Sequence, residues 1–493
     1  MHYRGRGAEV REYVRDPPDK AKAHRGESSG GDVVSLLILF LTCFAINADQ
    51  LISAPNLTQI SLDFGLTETE RDSHLGALIQ LGFFFSAGFF SILSGPVIEV
   101  VDRARLIACL AVFGSILSCC SGLVPTGRAG FFYFLLLRVS TGLTVGVALP
   151  SAFSLLGDIV DVNQRTTMSA FVTTSCAAGA AVGQAIAGLS SGSTSWRSPY
   201  FAVACISFTA CILSLWKLKD PRPISSADAS RTASSFSLAA SAWRGGHKHV
   251  DSRSTAGSIS MEDLKWSKFY SVLQVPTNRL IFAQSMPGCI AWSSIATFLP
   301  DFIHKELGFS VKASTGIMSV FGISGLCCSL LGSAIGQSIY NQNRSKLPPF
   351  VAACITLGAI PMLALVLFSG GSVSLTILLA MLGGIAASAG PNLKGMLMNA
   401  NMSSERGTVF ALFNLIDNLG KGLGPSVLVC TTWMSNRRIA FAVAFCLWFV
   451  GAWIAHQLGD CLNEDTLAIE VKQQGRDNPF PEEPFDLFHL YHS

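Results

Sequence analysis

Charged residues are scarce in this chain. Asp, Glu, Lys and Arg make up 14% of its 493 residues, whereas about a quarter of the residues of a soluble protein are charged. Hydrophobic residues make up 50%, and the mean hydropathy is +0.45. One water-soluble core cannot bury that much apolar surface, so the composition excludes an ordinary soluble domain and predicts a protein embedded in a lipid bilayer.

The sequence also lacks the motifs of ATP-driven and metal-dependent chemistry. It contains no Gly-x-x-x-x-Gly-Lys-Ser/Thr phosphate loop and no His-Glu-x-x-His zinc motif. No polar segment is long enough for a catalytic domain, so we expect no enzyme activity, no cofactor and no metal site. The net charge of +3 is spread over loops and termini, which argues against nucleic acid as a partner.

Long apolar runs recur from Val33 to Leu458. Each has about twenty residues, which at ~1.5 Å per residue is enough to cross the ~30 Å hydrocarbon layer. We therefore predict an all-α integral membrane protein with twelve transmembrane helices, numbered 1 to 12, in two pseudo-symmetric six-helix bundles. The predicted helices lie near residues 33–58, 74–98, 105–124, 130–157, 166–190, 199–216, 277–303, 312–338, 348–369, 374–399, 407–432 and 438–458.

Polar segments set the predicted division of the chain. It comprises a cytoplasmic tail at 1–32, a first bundle at 33–217, a cytoplasmic linker at 218–264, a second bundle at 265–458 and a cytoplasmic tail at 459–493. The first tail and the linker are sparsely hydrophobic, so we expect them to be disordered. Cytoplasmic termini place most loop arginines and lysines inside, although Arg437 and Arg438 fall outside. No motif identifies the plasma membrane or an endomembrane.

An internal repeat relates the two halves. Adding 241 to a residue number superposes Gly142 on Gly383, Pro150 on Pro391, Arg165 on Arg406, Gly179 on Gly420 and Gly183 on Gly424. The repeat predicts two parallel bundles related by an axis along the membrane normal. The last two glycine pairs form Gly-x-x-x-Gly steps, which indicate close helix packing. A rocking interface between the halves fits the same spacing.

Charged and polar residues inside the predicted helices need a reason, because each buried charge costs about 2.5–3.5 kcal/mol. Asp49 of helix 1 and Arg138 of helix 4 lie ~15 and ~12 Å from the outer ends of their helices, so they could pair. Polar stripes surround the charges: Thr42, Asp49, Ser53 and Asn56 on helix 1, and Asn414, Asp417, Asn418 and Lys421 on helix 11.

We expect both stripes to border the substrate path, near a site lined by helices 1, 4, 5, 7, 10 and 11. Interhelical hydrogen bonding alone is the structural alternative for both. Lys394 follows Gly390-Pro391 on helix 10. It could contact substrate, or it could extend to the cytoplasm along its apolar stem.

The loop after helix 2 reads Gly95-Pro-Val-Ile-Glu99-Val-Val-Asp102-Arg103-Ala-Arg105. It resembles the signature loop of the major facilitator superfamily, with Glu99 where aspartate is usual. There a glycine permits close helix approach, while a carboxylate and an arginine hold neighbouring helix ends in one conformation. The resemblance implies a gating role for the loop and for Arg165 and Arg406, although an ordinary charged turn remains the alternative.

Further segments resemble the Spinster-like branch of that superfamily. They are Leu62-Asp63-Phe64-Gly65, Glu70-Arg71-Asp72, Gly183-Gln184, Trp196-Arg197, Asp220-Pro221, Glu405-Arg406-Gly407 and Asp417-Asn-Leu-Gly-Lys421. Thr67 and Glu70 also fit a capping box that opens helix 2. The resemblance implies that Asp49 and Arg138 couple protonation to rearrangement. Ser53, from the polar stripe of helix 1, and Gln184 are further candidates for the substrate path. Val145 stands where these proteins usually carry a glutamate, which leaves Asp49 as the main carboxylate of the first half.

The sequence as a whole predicts a secondary transporter that works by alternating access. The resemblance implies a lipid-like or amphipathic substrate, such as a lysophospholipid or a sphingoid, with protons as the candidate coupling ion. Two alternatives stay open at this point. One is a facilitator of small polar solutes such as amino acids or sugars, and the other is a membrane sensor that does not transport.

Overall fold

The computed structural model describes residues 29–50, 52–53, 56–67, 70–190, 195–222, 266–370 and 372–477, and these are helical throughout apart from short connections. The predicted disordered tail at 1–32 and linker at 218–264 lie almost wholly outside the described residues. Eight of the described helical stretches are long and apolar enough to cross a membrane by length and composition. The fold is an all-α membrane fold of two six-helix bundles, as the sequence predicts.

The described residues of the first half contain seven α-helices, because predicted helix 1 is broken. They are α1 (Ser29–Ala48), α2 (Leu57–Phe64), α3 (Ile79–Val100), α4 (Arg103–Gly122), α5 (Arg128–Ile159), α6 (Arg165–Ser190) and α7 (Ser198–Lys217). A π-helical turn, Arg71–Leu78, precedes α3. The predicted capping box is present: the Thr67 backbone N–H donates to Glu70, and the Glu70 N–H donates to the Thr67 hydroxyl.

The described residues of the second half contain nine α-helices, with one additional helix before and one after its six predicted spans. Its helices are α8 (Trp266–Gln274), α9 (Pro276–Lys305), α10 (Val311–Gln342), α11 (Leu347–Phe368), α12 (Val373–Gly383), α13 (Ala389–Asn399), α14 (Arg406–Met434), α15 (Arg437–His456) and α16 (Leu458–Asp477). A 3₁₀ segment, Gly384–Ser388, joins α12 to α13, and together they form predicted helix 10.

Predicted helix 1 is the one whose course differs most from expectation. The sequence predicts a continuous helix over 33–58, but α1 ends at Ala48, and Asp49 and Gln50 lie in a turn. The chain becomes helical again at Leu57. Pro55 has no backbone N–H to donate, which favours a break in this stretch.

Equivalent helices pack together in the two halves. In the first half α1 packs on α6, α3 on α5, and α4 on α7; in the second half α9 packs on α14, α10 on α12, and α11 on α15. This matched set of pairs is what a duplicated bundle requires. The halves meet where α3 and α5 pack on α14, and where α6 packs on α10 and α13.

The Gly-x-x-x-Gly steps lie inside each half. A Cβ on Gly179 or Gly183 would lie 2.0 Å from the Phe44 carbonyl oxygen or 1.8 Å from that of Ala48, both on α1. Gly420 and Gly424 approach α9 in the same way, at 3.0 Å from the carbonyl oxygen of Met286 and 2.6 Å from that of Ile290. The glycines therefore permit close packing of α6 on α1 and of α14 on α9. The rocking-interface interpretation is wrong for these four residues.

The predicted tail at 459–493 begins as folded structure, because α16 packs against the second half. The backbone N–H of Thr277, at the start of α9, donates to Asp465. Arg344, between α10 and α11, forms an ion pair with Glu470. The helix thus joins two loops of its own bundle.

Candidate functional site

A cavity of about 220 Å³ lies between the two halves. Four predicted path helices supply its wall through α5, α6, α13 and α14, and residues at the end of α1 complete it. The lining residues are Asn47, Gln50, Leu149, Pro150, Phe153, Thr173, Cys176, Ala177, Ala180, Lys394, Phe410, Phe413, Asn414, Asp417 and Lys421. Helix 7, also predicted to line the site, supplies none of the lining residues among those described; its Cys289 and Ser293 contact Asp417 and Lys421 from behind the wall.

Asp417 and Lys421 form an ion pair on one face of α14. Their spacing of four residues brings the side chains together, and Lys421 Nζ lies 2.6 Å from Asp417 Oδ2. The thiol of Cys289 on α9 donates to the other carboxylate oxygen, Oδ1, at 2.7 Å. Both oxygens of Asp417 are therefore engaged within the second half.

Lys394 enters the cavity from α13 and contacts the first half. Its Nζ donates to the hydroxyl of Thr173 on α6 at 3.0 Å and lies 4.8 Å from the centre of the Phe153 ring. An ammonium over an aromatic face is stabilised by the ring quadrupole. Among the described residues, no carboxylate pairs with Lys394, so its extension to the cytoplasm is not the arrangement observed.

Aromatic rings form the apolar part of the wall. Phe153 of α5 stacks on Phe410 of α14, with ring centres 5.2 Å apart and an interplanar angle of 21°. Phe413 and Leu149 extend this surface. The cavity therefore presents apolar surface beside charged and amide groups, as a site for an amphipathic molecule would. Sequence reasoning did not single out these rings, because the chain has 33 phenylalanines and the sequence does not show which of them face the cavity.

Asp49 and Arg138 form a buried ion pair in the first half. Arg138 Nη1 lies 2.8 Å from Asp49 Oδ2, and both side chains are at most 6% exposed. Ser118 donates to Asp49 Oδ1, and Arg138 donates to Ser121 and lies over the Tyr200 ring. The pair is not part of the cavity wall. Its neighbours Asn47 and Gln50 line the cavity instead.

The polar stripe of helix 1 points into the first half rather than toward the cavity. Thr42 shares a hydrogen bond with Ser214 of α7, and Asn56 donates to the Ala187 carbonyl of α6. Ser53 is buried away from the cavity wall. For these residues the alternative interpretation, interhelical hydrogen bonding, describes the structure. The stripe was misplaced because spacing shows which residues share a face, not which neighbour that face meets.

The stripe of helix 11 is divided between two roles. Asp417 and Lys421 line the cavity, as does Asn414, which also donates to the Gly146 carbonyl of the first half. Asn418 is buried outside the wall and donates to the carbonyl of Asn414 on its own helix. Gln184 is exposed on α6 and does not line the cavity.

The predicted gating loop contacts the opposite half. Thr408, in the first turn of α14, donates its hydroxyl to Glu99. A Cβ on Gly95 would lie 3.1 Å from the Thr408 Cα and from the Ala411 side chain, so glycine permits α3 and α14 to approach here. Asp102 caps α4 by accepting from the Arg105 backbone N–H. Arg105 is 80% exposed and pairs only with Asp102 among the described residues.

Asp158, at the end of α5, joins the halves and was missed by sequence reasoning. Its two carboxylate oxygens pair with Arg103 at 2.7 Å and with Arg406 of the second half at 2.5 Å. The repeat could have revealed it, because adding 241 gives Asn399, which accepts a hydrogen bond from Arg165. Arg165, at the start of α6, therefore contacts the end of α13 in the second half. Arg406, at the start of α14, contacts the end of α5 in the first half.

Asp220, just beyond α7, completes this network on the first-half side. It accepts hydrogen bonds from Arg103 and from Arg222, and Arg222 also donates to carbonyls at the end of α3. Burial opposes the charged form of Asp220, but the hydrogen bonds from the two arginines outweigh it. They hold the pKa of Asp220 well below its ordinary value.

These contacts concentrate at one end of the molecule, termed here the arginine-rich end and defined by Arg103, Arg165 and Arg406. Among the described residues, the hydrogen bonds that join the halves lie between the depth of Asn414 in the cavity wall and the arginine-rich end. Thr166 and Ser169 of α6 add bonds to Gln337 and to the Pro391 carbonyl. The described conformation is therefore closed at the arginine-rich end.

Comparison with known proteins assigns the fold. The profile described as Major Facilitator Superfamily matches residues 37–425. Similar solved structures include the proton:xylose symporter XylE bound to 6-bromo-6-deoxy-D-glucose (15% identity, TM-score 0.61, 86% of this chain and 95% of that chain). The human organic anion transporter TETRAN is another (15% identity, TM-score 0.63, 86% and 99%). No curated protein sequence matches the chain.

Proposed function

This chain belongs to the major facilitator superfamily and has its transporter fold, and we propose that it moves a small amphipathic molecule across a membrane by alternating access. The observation that carries the substrate class is the cavity between the halves. Its wall places the stacked rings of Phe153 and Phe410 beside Lys394, Asp417 and Lys421. A lysophospholipid or a sphingoid has the matching combination of apolar chain and polar end.

Alternating access requires the closed end to open. We propose that the two halves part at the arginine-rich end, which breaks the contacts of Asp158 with Arg406 and of Glu99 with Thr408. Substrate binding in the cavity would favour that change only if it binds the opened state more tightly. The positive-inside pattern supports cytoplasmic termini, so the arginine-rich end would be the cytoplasmic end.

Asp49 and Arg138 are proposed as the switch pair of the first half, with protons as the coupling ion. The pair is buried beside, not in, the cavity wall, next to Gln50 and Asn47, which line it. Protonation of Asp49 would leave Arg138 without its counter-ion and alter the turn that follows α1. The resemblance to Spinster-like transporters supports this role, and we propose membership of that branch on the same residues.

A facilitator of small polar solutes is the second candidate, and the cavity volume favours it. About 220 Å³ is below the roughly 300 Å³ at which ligand pockets usually begin. The space accepts a sugar, an amino acid or a lipid headgroup, but not a whole acyl chain. A sensor that binds without transport is the remaining alternative, and flux separates it from both transporters.

The test is flux into proteoliposomes that contain the purified protein. A lysophospholipid, sphingosine, a sugar and an amino acid are each supplied with and without a pH gradient, and protein-free liposomes serve as the control. We expect uptake of an amphipathic substrate above the control. Asp49→Asn should abolish any component driven by the pH gradient. Uptake of only the sugar or amino acid would support the second candidate, and binding without flux would support the sensor.

A further inference from the structure

The charges in the cavity do not balance. Among the described residues, three charged side chains line it: the carboxylate of Asp417 and the ammonium groups of Lys421 and Lys394. Asp49 and Arg138 neutralise each other outside the wall and add nothing to this sum. One positive charge is therefore left over on the wall of a cavity within the membrane-embedded part of the protein.

The surplus charge belongs to Lys394. Asp417 is engaged by Lys421 at one oxygen and by the Cys289 thiol at the other. Lys394 instead donates to the neutral hydroxyl of Thr173 and lies over the Phe153 ring. An ammonium has three donor protons, and Thr173 accepts one of them. Because an unpaired charge is costly in a low-dielectric site, the cavity favours a ligand that brings the missing negative charge.

We propose that the cavity binds the anionic end of its ligand at Lys394, and that this end is an oxyanion such as a phosphate, carboxylate or sulfate. Lys421, held by Asp417, supplies a second cationic edge. Asn47, Gln50 and Asn414 add amide groups to the same wall. Phe153, Phe410 and Leu149 receive the apolar part. The inference rests on the proposed function in one respect, that the cavity is the substrate site.

Position supports the assignment as well as charge. Lys394 reaches from the second half to Thr173 of the first, so it bridges the two halves at the cavity. An oxyanion that replaces Thr173 as the partner of Lys394 would change a contact between the halves. Binding of the anionic end would thus act on the same relative motion that alternating access requires.

The experiment uses three probes with the purified full-length protein in a neutral detergent. Oleoyl lysophosphatidate carries a phosphate on an acyl chain, monooleoylglycerol carries the same chain with a neutral end, and glycerol 3-phosphate carries the phosphate alone. Dissociation constants are obtained from ligand-induced thermal stabilisation. We expect lysophosphatidate to bind at least about tenfold more tightly than monooleoylglycerol, as one charge-assisted hydrogen bond allows.

Variants of Lys394 test whether this residue causes the preference for the phosphate-bearing lipid. Lys394→Gln should remove the preference for the phosphate, whereas Lys394→Arg should retain it. Lys346→Gln, which removes an exposed lysine between α10 and α11, is the matched control and should bind as the wild type does. Equal affinity of the wild type for the charged and neutral lipids would overturn the inference, as would a folded Lys394→Gln protein that still prefers phosphate.

The outcomes also separate this inference from the proposed function. Binding of both lipids with equal affinity, together with their flux into proteoliposomes, would leave the function standing and remove the anion site. Lys394-dependent binding of glycerol 3-phosphate alone would keep the anion site and remove the lipid-like substrate. If the wild-type protein binds none of the three probes, both proposals fail.

Discussion

Asp158 and Arg406 join the two halves of the molecule as a buried ion pair. The same carboxylate also holds Arg103 of its own half, so one acidic residue connects the gating loop to the first turn of α14. Gly157 gives the Arg406 side chain room, because a Cβ there would lie 3.0 Å from Nη1. The Asp158 carboxylate is therefore one of the contacts that close the arginine-rich end, together with the hydrogen bond from Thr408 to Glu99.

Removing that charge should loosen the arginine-rich end. Asp158→Asn leaves the guanidinium of Arg406, only 2% exposed, without its counter-ion, and breaking such a pair costs about 3–5 kcal/mol. We expect faster hydrogen–deuterium exchange over residues 158–166 and 398–408, read by mass spectrometry. Arg105→Gln is the control, since that side chain is largely exposed. Unchanged exchange in Asp158→Asn would show that other contacts close this end.

The pair of Asp49 and Arg138 should show strong energetic coupling. Asp49→Asn leaves Arg138 charged and buried, and we expect it to lower the free energy of unfolding by about 3–5 kcal/mol. The double variant Asp49→Asn, Arg138→Met removes both charges and should recover much of that loss. Thermal unfolding of the two single variants and the double variant in detergent measures the coupling. Losses that simply add would contradict the pairing.

A methyl group at Gly183 should disrupt the contact of α6 with α1. The Cβ of Gly183→Ala would lie 1.8 Å from the carbonyl oxygen of Ala48, which is backbone and cannot rotate away. Overpacking typically lowers the free energy of unfolding by about 1–3 kcal/mol. Because backbone cannot move aside, we expect a loss of about 3 kcal/mol or more.

The matched control is Gly322→Ala on α10, where the added Cβ meets nothing within 4 Å. A helical glycine with free space gains up to about 1 kcal/mol from alanine. Melting temperature and the yield of monodisperse protein provide the comparison. The packing described for α1 and α6 would be refuted by two variants of equal stability.

Asp220 should contribute stability that depends on pH. Its pKa is lowered in the folded protein by Arg103 and Arg222, so the unfolded chain takes up the proton first as the pH falls. The contribution is therefore present above the unfolded pKa of about 3.9 and is lost below it. The gap in melting temperature between the wild type and Asp220→Asn should stay constant from about pH 8 to 5 and narrow below about pH 4. A gap that widens as the pH falls would reverse the sign of this assignment.

The helices were predictable because the membrane imposes a length on each of them. Apolar runs such as 105–124 and 199–216 nearly coincide with α4 and α7, since a helix satisfies all of its backbone hydrogen bonds within one such run in lipid. The 241-residue repeat likewise predicted the duplicated bundles, and Arg165 and Arg406 occupy equivalent places in the structure.

The site was less predictable because it depends on which neighbours each helix face meets. Asp417 and Lys421 line the cavity as expected, but the stripe of helix 1 is turned inward by the packing of α1 on α6 and α7. Asp158 escaped notice because it lies near a helix end, where a charge needs no special reason. Only the contact with Arg406, across 248 positions of sequence, shows its importance.

The ties from α16 to Thr277 and Arg344 have a practical consequence for anyone who alters the end of this protein. Hydropathy alone would end the last span near residue 458 and suggest cutting or tagging there. Such a truncation would remove α16 and its contacts with Thr277 and Arg344, which stabilise two connections of the second bundle. An affinity tag belongs beyond Asp477, and shortened chains should keep everything up to that residue.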